Sequence, residues 1–498
     1  MKKIIYTGIA VLLTCLFYSC SESFLDTVST DTYNEANWWK TQDQAISTLN
    51  GCYAVLRNGQ IGGNSNLSMD NISPNSYNMS GEIALATGTH SAGNWEEFLE
   101  KWDANYMGIG RVNTLLDNID RVVMDDATNQ RIKAEAYFLR ALFYYNLVNY
   151  FGGVPLILES PDFVKHGSLP RNTRQEVVTQ VLTDLTNAAS VLPVSYTGAN
   201  IGRATKGAAL ALKARVLLYE SRWSEAALAA KDVMLLNKYS LYANYRNLFL
   251  PENEGNSEVI FDYQFKAPEF PNSFDNQIEL QQNVAPTLDL VNSYLMSDGL
   301  TTATSPLYDP AHPYDNRDPR LQQTIVFQGY LYRGGIVSPT KYFGTGFGFK
   351  KYTTYKDNVT QPNVINSEIN FILLRYADVL LMYAEAQNES AGPDQSVYDA
   401  LHLIRLRAGM PDVPEGLLKD QMREVIRLER RIELANEALY YNDIRRWRTA
   451  EIVNNASVRN SKGEVVQVRT FNKNRDYLWP IHEITRQENP ALEQNPNY

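Results

Sequence analysis

The sequence predicts a mainly α protein, in which four helix pairs stack into a superhelical scaffold that carries long irregular loops and a few short strands. Three observations predict it. The 498 residues are 44% hydrophobic and 11% aromatic, enough apolar surface to build a core. Four regions space apolar residues three and four apart, the period of an amphipathic helix, and join helices by short turns. Two long stretches, Gly59 to Gly93 and Asn237 to Asn370, lack that period and are rich in Asn, Ser, Gly, Pro and aromatic residues. Irregular segments of this length are often functional, so the helices read as scaffold and these stretches as elaborations. A net charge of −10 supplies no basic stripe to replace counterions on phosphate, which sets nucleic acid aside as a partner.

In chain order, Lys2 and Lys3 precede an apolar run from Ile4 to Tyr18, which ends at Ser19-Cys20 before the polar Ser21-Glu22-Ser23. At 1.5 Å per residue the run spans roughly 22 Å, short of a bilayer core of about 30 Å. It therefore reads as a cleaved signal over residues 1–19. Of three cysteines, Cys15 lies in the run, Cys20 at its end and Cys52 in the body, so no intrachain disulfide framework is available. A cysteine at a signal boundary resembles a bacterial lipoprotein and predicts lipidation at Cys20, with Phe17 standing where a lipobox usually has Leu.

The first helix pair is expected at Arg131 to Phe151 and Arg174 to Leu192, separated by Gly152-Gly153-Val154-Pro155. The second joins Thr205–Glu220 to Trp223–Leu236, and its Ala208, Ala211, Ala214, Ala226 and Ala230 recur where two helices would meet. Hairpins packed this closely resemble tetratricopeptide repeats, without the full consensus of that family. The third pair is Phe371–Glu389 with Ser396–Arg407, and the fourth region begins near Leu417 and runs past Trp447. Stacking follows because no pair buries its apolar face alone. Short strands are expected near Glu258–Lys266 and Gln322–Gln328. The mature chain divides into an N-terminal part of about 20–236, an aromatic-rich insertion of about 237–370 and a C-terminal helical part of about 371–498. Arg140, Arg375 and Glu385 lie within apolar stretches and must be paired to be tolerated there. Trp102 and Tyr106 precede the helix that contains Val112 and Leu115 and read as core, and Asp318-Pro319-Arg320 as a rigid turn with a charge pair.

Catalytic signatures are missing. His90, His166, His312, His402 and His482 are scattered, with no metal-ligand spacing. The Gly344, Gly346, Gly348 run lacks the Lys-Ser/Thr end of a phosphate loop and reads as a turn. Glu429 and Glu433 stand four apart, but Arg427, Arg430 and Arg431 surround them, the pattern of a neutralised structural pair. No catalytic residue, metal or cofactor is predicted.

Several segments together resemble the SusD/RagB family of Bacteroidetes surface lipoproteins. After Cys20 come Phe24-Leu25-Asp26, Trp38-Trp39-Lys40-Thr41 and Leu49-Asn50-Gly51-Cys52-Tyr53. Then follow Lys133 to Leu156, Asn316-Arg317-Asp318-Pro319-Arg320, Leu374 to Asn388, Ile404 to Pro411 and Glu429 to Trp447. Leu478-Trp479-Pro480-Ile481, Asn489-Pro490 and the terminal Gln494-Asn495-Pro496-Asn497-Tyr498 complete the pattern, with His482 and Asn497 departing from it. The resemblance implies four tetratricopeptide-like helix pairs and no enzymatic activity. It also implies a surface-exposed lipoprotein of the cell outer membrane, partnered with a SusC-like TonB-dependent transporter to which it delivers oligosaccharide or polysaccharide. Two other readings compete: a non-catalytic protein-interaction scaffold built on the repeats, and a helical glycoside hydrolase, which needs two carboxylates about 5 to 9.5 Å apart in a cleft.

A glycan site is expected on the irregular segments. Sugar rings stack their C–H faces on aromatic side chains, while their hydroxyls need amide and charged partners. The chain carries 31 Tyr, 18 Phe and 7 Trp. Loop tips that combine both chemistries are Asn75 with Tyr77, Asn94 with Trp95, the Phe270, Asn272, Phe274 run, and Tyr342-Phe343. Trp95 leads, because it ends a Gly- and Ser-rich loop and precedes the first sustained helix; the competing reading packs it against Phe98 and Trp102.

Overall fold

The computed structural model describes residues 38–81 and 83–498, so Cys20 and Phe24-Leu25-Asp26 lie outside the described residues. Helix outweighs strand by 47% to 8%, the mainly α class that the sequence predicts. Helix α1 (Gln42–Ala54) starts at a capping box in which Thr41 Oγ1 accepts from Gln44 N and the Gln44 side chain accepts from Thr41 N. Helix α2 (Glu97–Asn118) leads into α3 (Asp126–Phe151), which Asp125 caps by accepting from Thr128 N at 2.9 Å. Then come α4 (Arg174–Val191), opened by a Thr173/Glu176 capping box, α5 (Lys206–Tyr219) and α6 (Trp223–Leu235). The C-terminal part supplies α7 (Tyr376–Ala391), α8 (Gln395–Ala408), α9 (Lys419–Glu433) and α10 (Tyr440–Arg446).

From α2 to α8 each helix packs on the next, so the chain winds as one stack, and α9 closes on α7. The small residues of α5 and α6 allow this approach: Ala208, Ala211, Ala214, Ala226 and Ala230 are all fully buried. The main apolar core runs from Trp39 to Leu492 and takes in Phe274, Tyr352 and Phe371 beside the helical residues, with small satellite clusters around Tyr342 and Met410. Among the described residues no helix is long and apolar enough to cross a membrane.

Strands form two-stranded antiparallel ladders: β1 (Ser76–Tyr77) with β3 (Ala285–Pro286), β2 (Val259–Tyr263) with β8 (Phe371–Arg375), β4 (Ile325–Phe327) with β7 (Phe347–Phe349), β5 (Leu331–Tyr332) with β6 (Gly335–Ile336), and β9 (Ser457–Arg459) with β10 (Val465–Val468). Strands β2 and β4 fall within the two segments expected to be extended. One helical expectation is corrected. Phe371 to Arg375 is strand, because its apolar run pairs with β2 and is buried, and the helix begins only at Tyr376. The fourth helical region, from near Leu417 past Trp447, divides into α9 and α10 after Glu433, where Asn436 and Ala438 adopt φ of 61° and 62°. The cause is long-range: Arg375 Nη2 donates to the Glu433 carbonyl at 2.8 Å, and Arg375 Nε donates to Glu437 Oε2 at 2.7 Å. Helix α2 also starts earlier than expected, so Trp102 and Tyr106 lie inside it, their rings 5.1 Å apart.

The charged residues within apolar stretches are paired, as expected. Arg140 binds Asp184 bidentately at 2.8 and 2.9 Å, and Glu385 takes two bonds of 2.6 Å from Arg446. A larger buried network links Asp318, Glu258, Glu429, Glu433 and Glu437 to Arg320, Lys351, Arg375, Arg405 and Arg407, so its formal charges balance. It ties the insertion to the C-terminal helices. Glu429 and Glu433 are thereby structural, and Glu433 is held well below the usual carboxylate range by Arg407, Arg375 and Arg320 against the opposing effect of burial.

Candidate functional site

Three irregular segments, residues 57–80, 266–283 and 333–344, come together on one face. Asn64 Nδ2 donates to Ser273 Oγ at 2.7 Å and Asn71 Nδ2 to the Asn283 carbonyl at 2.8 Å, so the first two run side by side. Between these contacts the second forms a turn of π-helix, Asn276–Leu280, with Gln281 N donating to the Asn276 carbonyl at 2.9 Å. Such turns are rare and recur at functional sites.

The third segment is anchored by Glu279, which is 2% exposed. Its carboxylate accepts from Tyr342 Oη at 2.7 Å, from Arg333 Nη1 at 3.1 Å and from Lys341 Nζ. Gly344 lies directly on Met79, since a Cβ there would sit 1.5 Å from the Met79 Sδ. Gln282, Arg333 and Tyr342 all adopt left-handed backbone, with φ of 54°, 54° and 57°. Three non-glycine residues in that region, around one carboxylate, mark a backbone held against its own preference by about 1–3 kcal/mol each.

Two arginines from the C-terminal part fix the turn before Tyr77. Arg469 donates through Nη2 to the Ser76 carbonyl at 2.5 Å and through Nη1 to the Ser73 carbonyl. It is 3% exposed, and burial pulls its guanidinium down to about 9 despite the Asp289 and Tyr77 charges that oppose this. Arg431 Nε donates to Asn75 Oδ1 at 2.8 Å.

The loop candidates separate on this geometry. Phe343 and Phe270 present their rings outward, 78% and 51% exposed, and Phe270 lies under the Arg57 guanidinium at 3.9 Å. Tyr77 is half-buried, on the strand that pairs with Ala285. Four candidates face inward and are corrected. Asn75 is fully buried and spends its Oδ1 on Arg431. Asn272 pairs with Ser367 through its backbone, and its side chain bonds the Ile369 carbonyl and Phe274 N. Phe274 is fully buried among Phe265, Tyr352 and Phe371, and Tyr342 is held by Glu279.

Trp95 and Asn94 belong to another region. The Trp95 ring meets Phe98 at 4.7 Å and Trp479 at 5.5 Å, so it packs as its competing reading has it, with Trp479 in place of Trp102. Asn94 folds onto its own loop, accepting from Ser91 N at 2.6 Å and donating to the Thr89 carbonyl at 3.0 Å. Sequence reasoning missed Glu279, Arg333, Lys341 and Arg469. The one visible signal was the amide-rich run Gln277, Gln281, Gln282, Asn283, inside a segment already read as irregular.

The chain matches the model of the SusD family over residues 252–498. A second model, described as starch-binding and associating with outer membrane, matches residues 23–218. SusD-like protein P38 of Formosa agariphila is 25% identical, over 100% of this chain and 99% of that protein. A SusD-like carbohydrate-binding protein of Bacteroides fragilis is 28% identical, with a TM-score of 0.84 over 92% of this chain and 100% of the other. A laminarin-binding SusD-like protein is 25% identical, with a TM-score of 0.70 over the same shares.

Proposed function

Because this chain belongs to the SusD/RagB family, we propose that it captures an oligosaccharide or polysaccharide at the cell surface and passes it, unreacted, to a SusC-like TonB-dependent transporter. Lipidation of Cys20 would hold it at the outer membrane. The observation that carries glycan capture is the pair of outward rings, Phe343 and Phe270, on a face otherwise built of amides and pinned by buried charge. Exposed apolar rings are costly to display unless a partner covers them. A flat sugar face supplies such cover, and the Asn78 and Gln281 amides, whose oxygens accept from Ser80 N and Asn283 Nδ2, offer their N–H groups to its hydroxyls.

The strained backbone at Gln282 and Tyr342 supports the same reading, since it fixes the platform before any ligand arrives. A glycan array identifies the ligand, and calorimetry then compares variants. Phe343→Ala and Phe270→Ala are each expected to weaken binding by about 1–3 kcal/mol with thermal stability unchanged. Unchanged affinity in both variants would remove the site from this face.

A further inference from the structure

A cleft of about 400 Å³ opens among the C-terminal end of α3, the start of α4, the end of α5 and α10. Four arginines line it, Arg174, Arg445, Arg446 and Arg448, against one carboxylate, Glu220. The chain as a whole carries −10, so this cleft reverses its sign. We propose that it is a second binding site, separate from the loop face, for the anionic substituent of a saccharide: a carboxylate or a sulfate ester.

Two of the arginines are neutralised. Glu220 accepts from Arg174 Nε at 3.2 Å, and Glu385 takes both terminal nitrogens of Arg446 at 2.6 Å. The other two are not. Arg445 donates to the Asn149 carbonyl at 2.7 Å, the Tyr477 carbonyl at 2.8 Å and Asn442 Oδ1 at 3.3 Å, all neutral acceptors. Arg448 is exposed, and among the described residues its guanidinium has neither ion pair nor hydrogen bond; it lies over the Tyr477 ring at 4.1 Å. It projects from a residue with φ of 58°, a backbone geometry that L side chains rarely adopt.

Helix capping explains part of this charge. Arg174 Nη1 donates to the Val148 carbonyl at 2.8 Å and Arg445 Nη2 to that of Asn149, which offsets the negative end of α3. It leaves Arg448 unexplained. A guanidinium laid on an aromatic ring, with every N–H unused, beside a second arginine lacking a carboxylate, suits an oxyanion that accepts two or more bonds. The volume lies within the range of small-molecule sites, and a lining with an excess of positive charge concentrates anions.

The test titrates wild type, Arg448→Gln and Arg448→Glu with an oligogalacturonate, a sulfated galactan oligosaccharide, maltohexaose and sodium sulfate. Wild type is expected to bind at least one charged oligosaccharide, more weakly as salt rises, and to ignore maltohexaose at this cleft. Which charged probe binds distinguishes carboxylate from sulfate ester. Arg448→Gln is expected to lose about tenfold in affinity, the loss of one charge-assisted hydrogen bond, and Arg448→Glu more. Phe343→Ala is titrated separately with the glycan identified for the loop face, which keeps a failure of the cleft distinct from a failure of the loop site. The proposal is overturned if wild type binds neither charged oligosaccharide, if Arg448→Gln binds them unchanged, or if sulfate alone binds as tightly as the saccharides.

Discussion

Asp70→Asn is expected to stabilise this protein, and to do so more at high pH than at low. Asp70 is fully buried, and neither carboxylate oxygen makes a well-formed hydrogen bond. Loss of water dominates and pushes its carboxyl from 3.8 up to about 7, while the Asn436 N–H, Lys351 and Arg431 favour the charge and Glu437 opposes it. At about 1.4 kcal/mol for each tenfold change in proton affinity, holding Asp70 ionised in the fold costs about 4 kcal/mol at pH 8. The sign follows from a folded value above the unfolded one. The cost is complete above about pH 7, shrinks as pH falls through that value, and is about 1–2 kcal/mol at pH 5, where the unfolded chain still ionises Asp70. The isosteric amide removes the titration. Chemical denaturation of both proteins at pH 5 and pH 8 should therefore show the variant gaining about 2–3 kcal/mol more at pH 8. A gain independent of pH, or a loss at pH 8, would refute the reasoning, because Asp70 would then be charged and usefully engaged.

Two further expectations concern the charge network and the partner. Glu433→Gln leaves Arg320, Arg375 and Arg407 with an uncompensated positive charge in the interior, and denaturation should show a loss of about 3–5 kcal/mol that added salt does not restore. Purified from native outer membranes in mild detergent, the full-length protein should carry a TonB-dependent transporter with it; recovery as a free monomer under those conditions would count against delivery to such a partner.

Period made the helices legible. Ile132, Ala136, Leu139 and Phe143 are all buried on one face of α3, and the caps at Thr173 and Asp125 follow from residue type. The run Phe371 to Leu374 was ambiguous because four successive apolar residues fit a buried helix or a buried strand, and only pairing with β2 decides. The end of α9 could not be read locally, since Arg375, 58 residues away, takes the Glu433 carbonyl. In the loops, composition marked candidate residues without orienting them. Tyr342 and Phe343 are neighbours, yet one is 1% and the other 78% exposed, because Glu279 captures the tyrosine hydroxyl from 63 residues away. Asn75 and Asn272 have the residue type that sugar recognition uses, but the interior needs the same amides: Asn272 serves the Ile369 carbonyl and Phe274 N, and Asn75 the Arg431 guanidinium.

The candidate loop face is held by buried charge as well as by a small apolar cluster of its own, Val326, Tyr332, Val337, Tyr342 and Tyr355. Arg469 and Arg431 reach the 73–77 turn from the C-terminal part, while Glu279 gathers Arg333, Lys341 and Tyr342 from the third segment. Hydrogen bonds of this kind are directional and unforgiving, since truncating one partner strands the other in the interior. They also make no demand on the side chains at the tips. Phe343 and Phe270 lie outside these contacts, so residues there can change with the ligand while Glu279, Arg333 and Arg469 keep the backbone in place. If the proposed site holds, platform and specificity are separable: exchanging a ring at position 343 or 270 is expected to alter what is bound, whereas removing Glu279 is expected to loosen the surface itself.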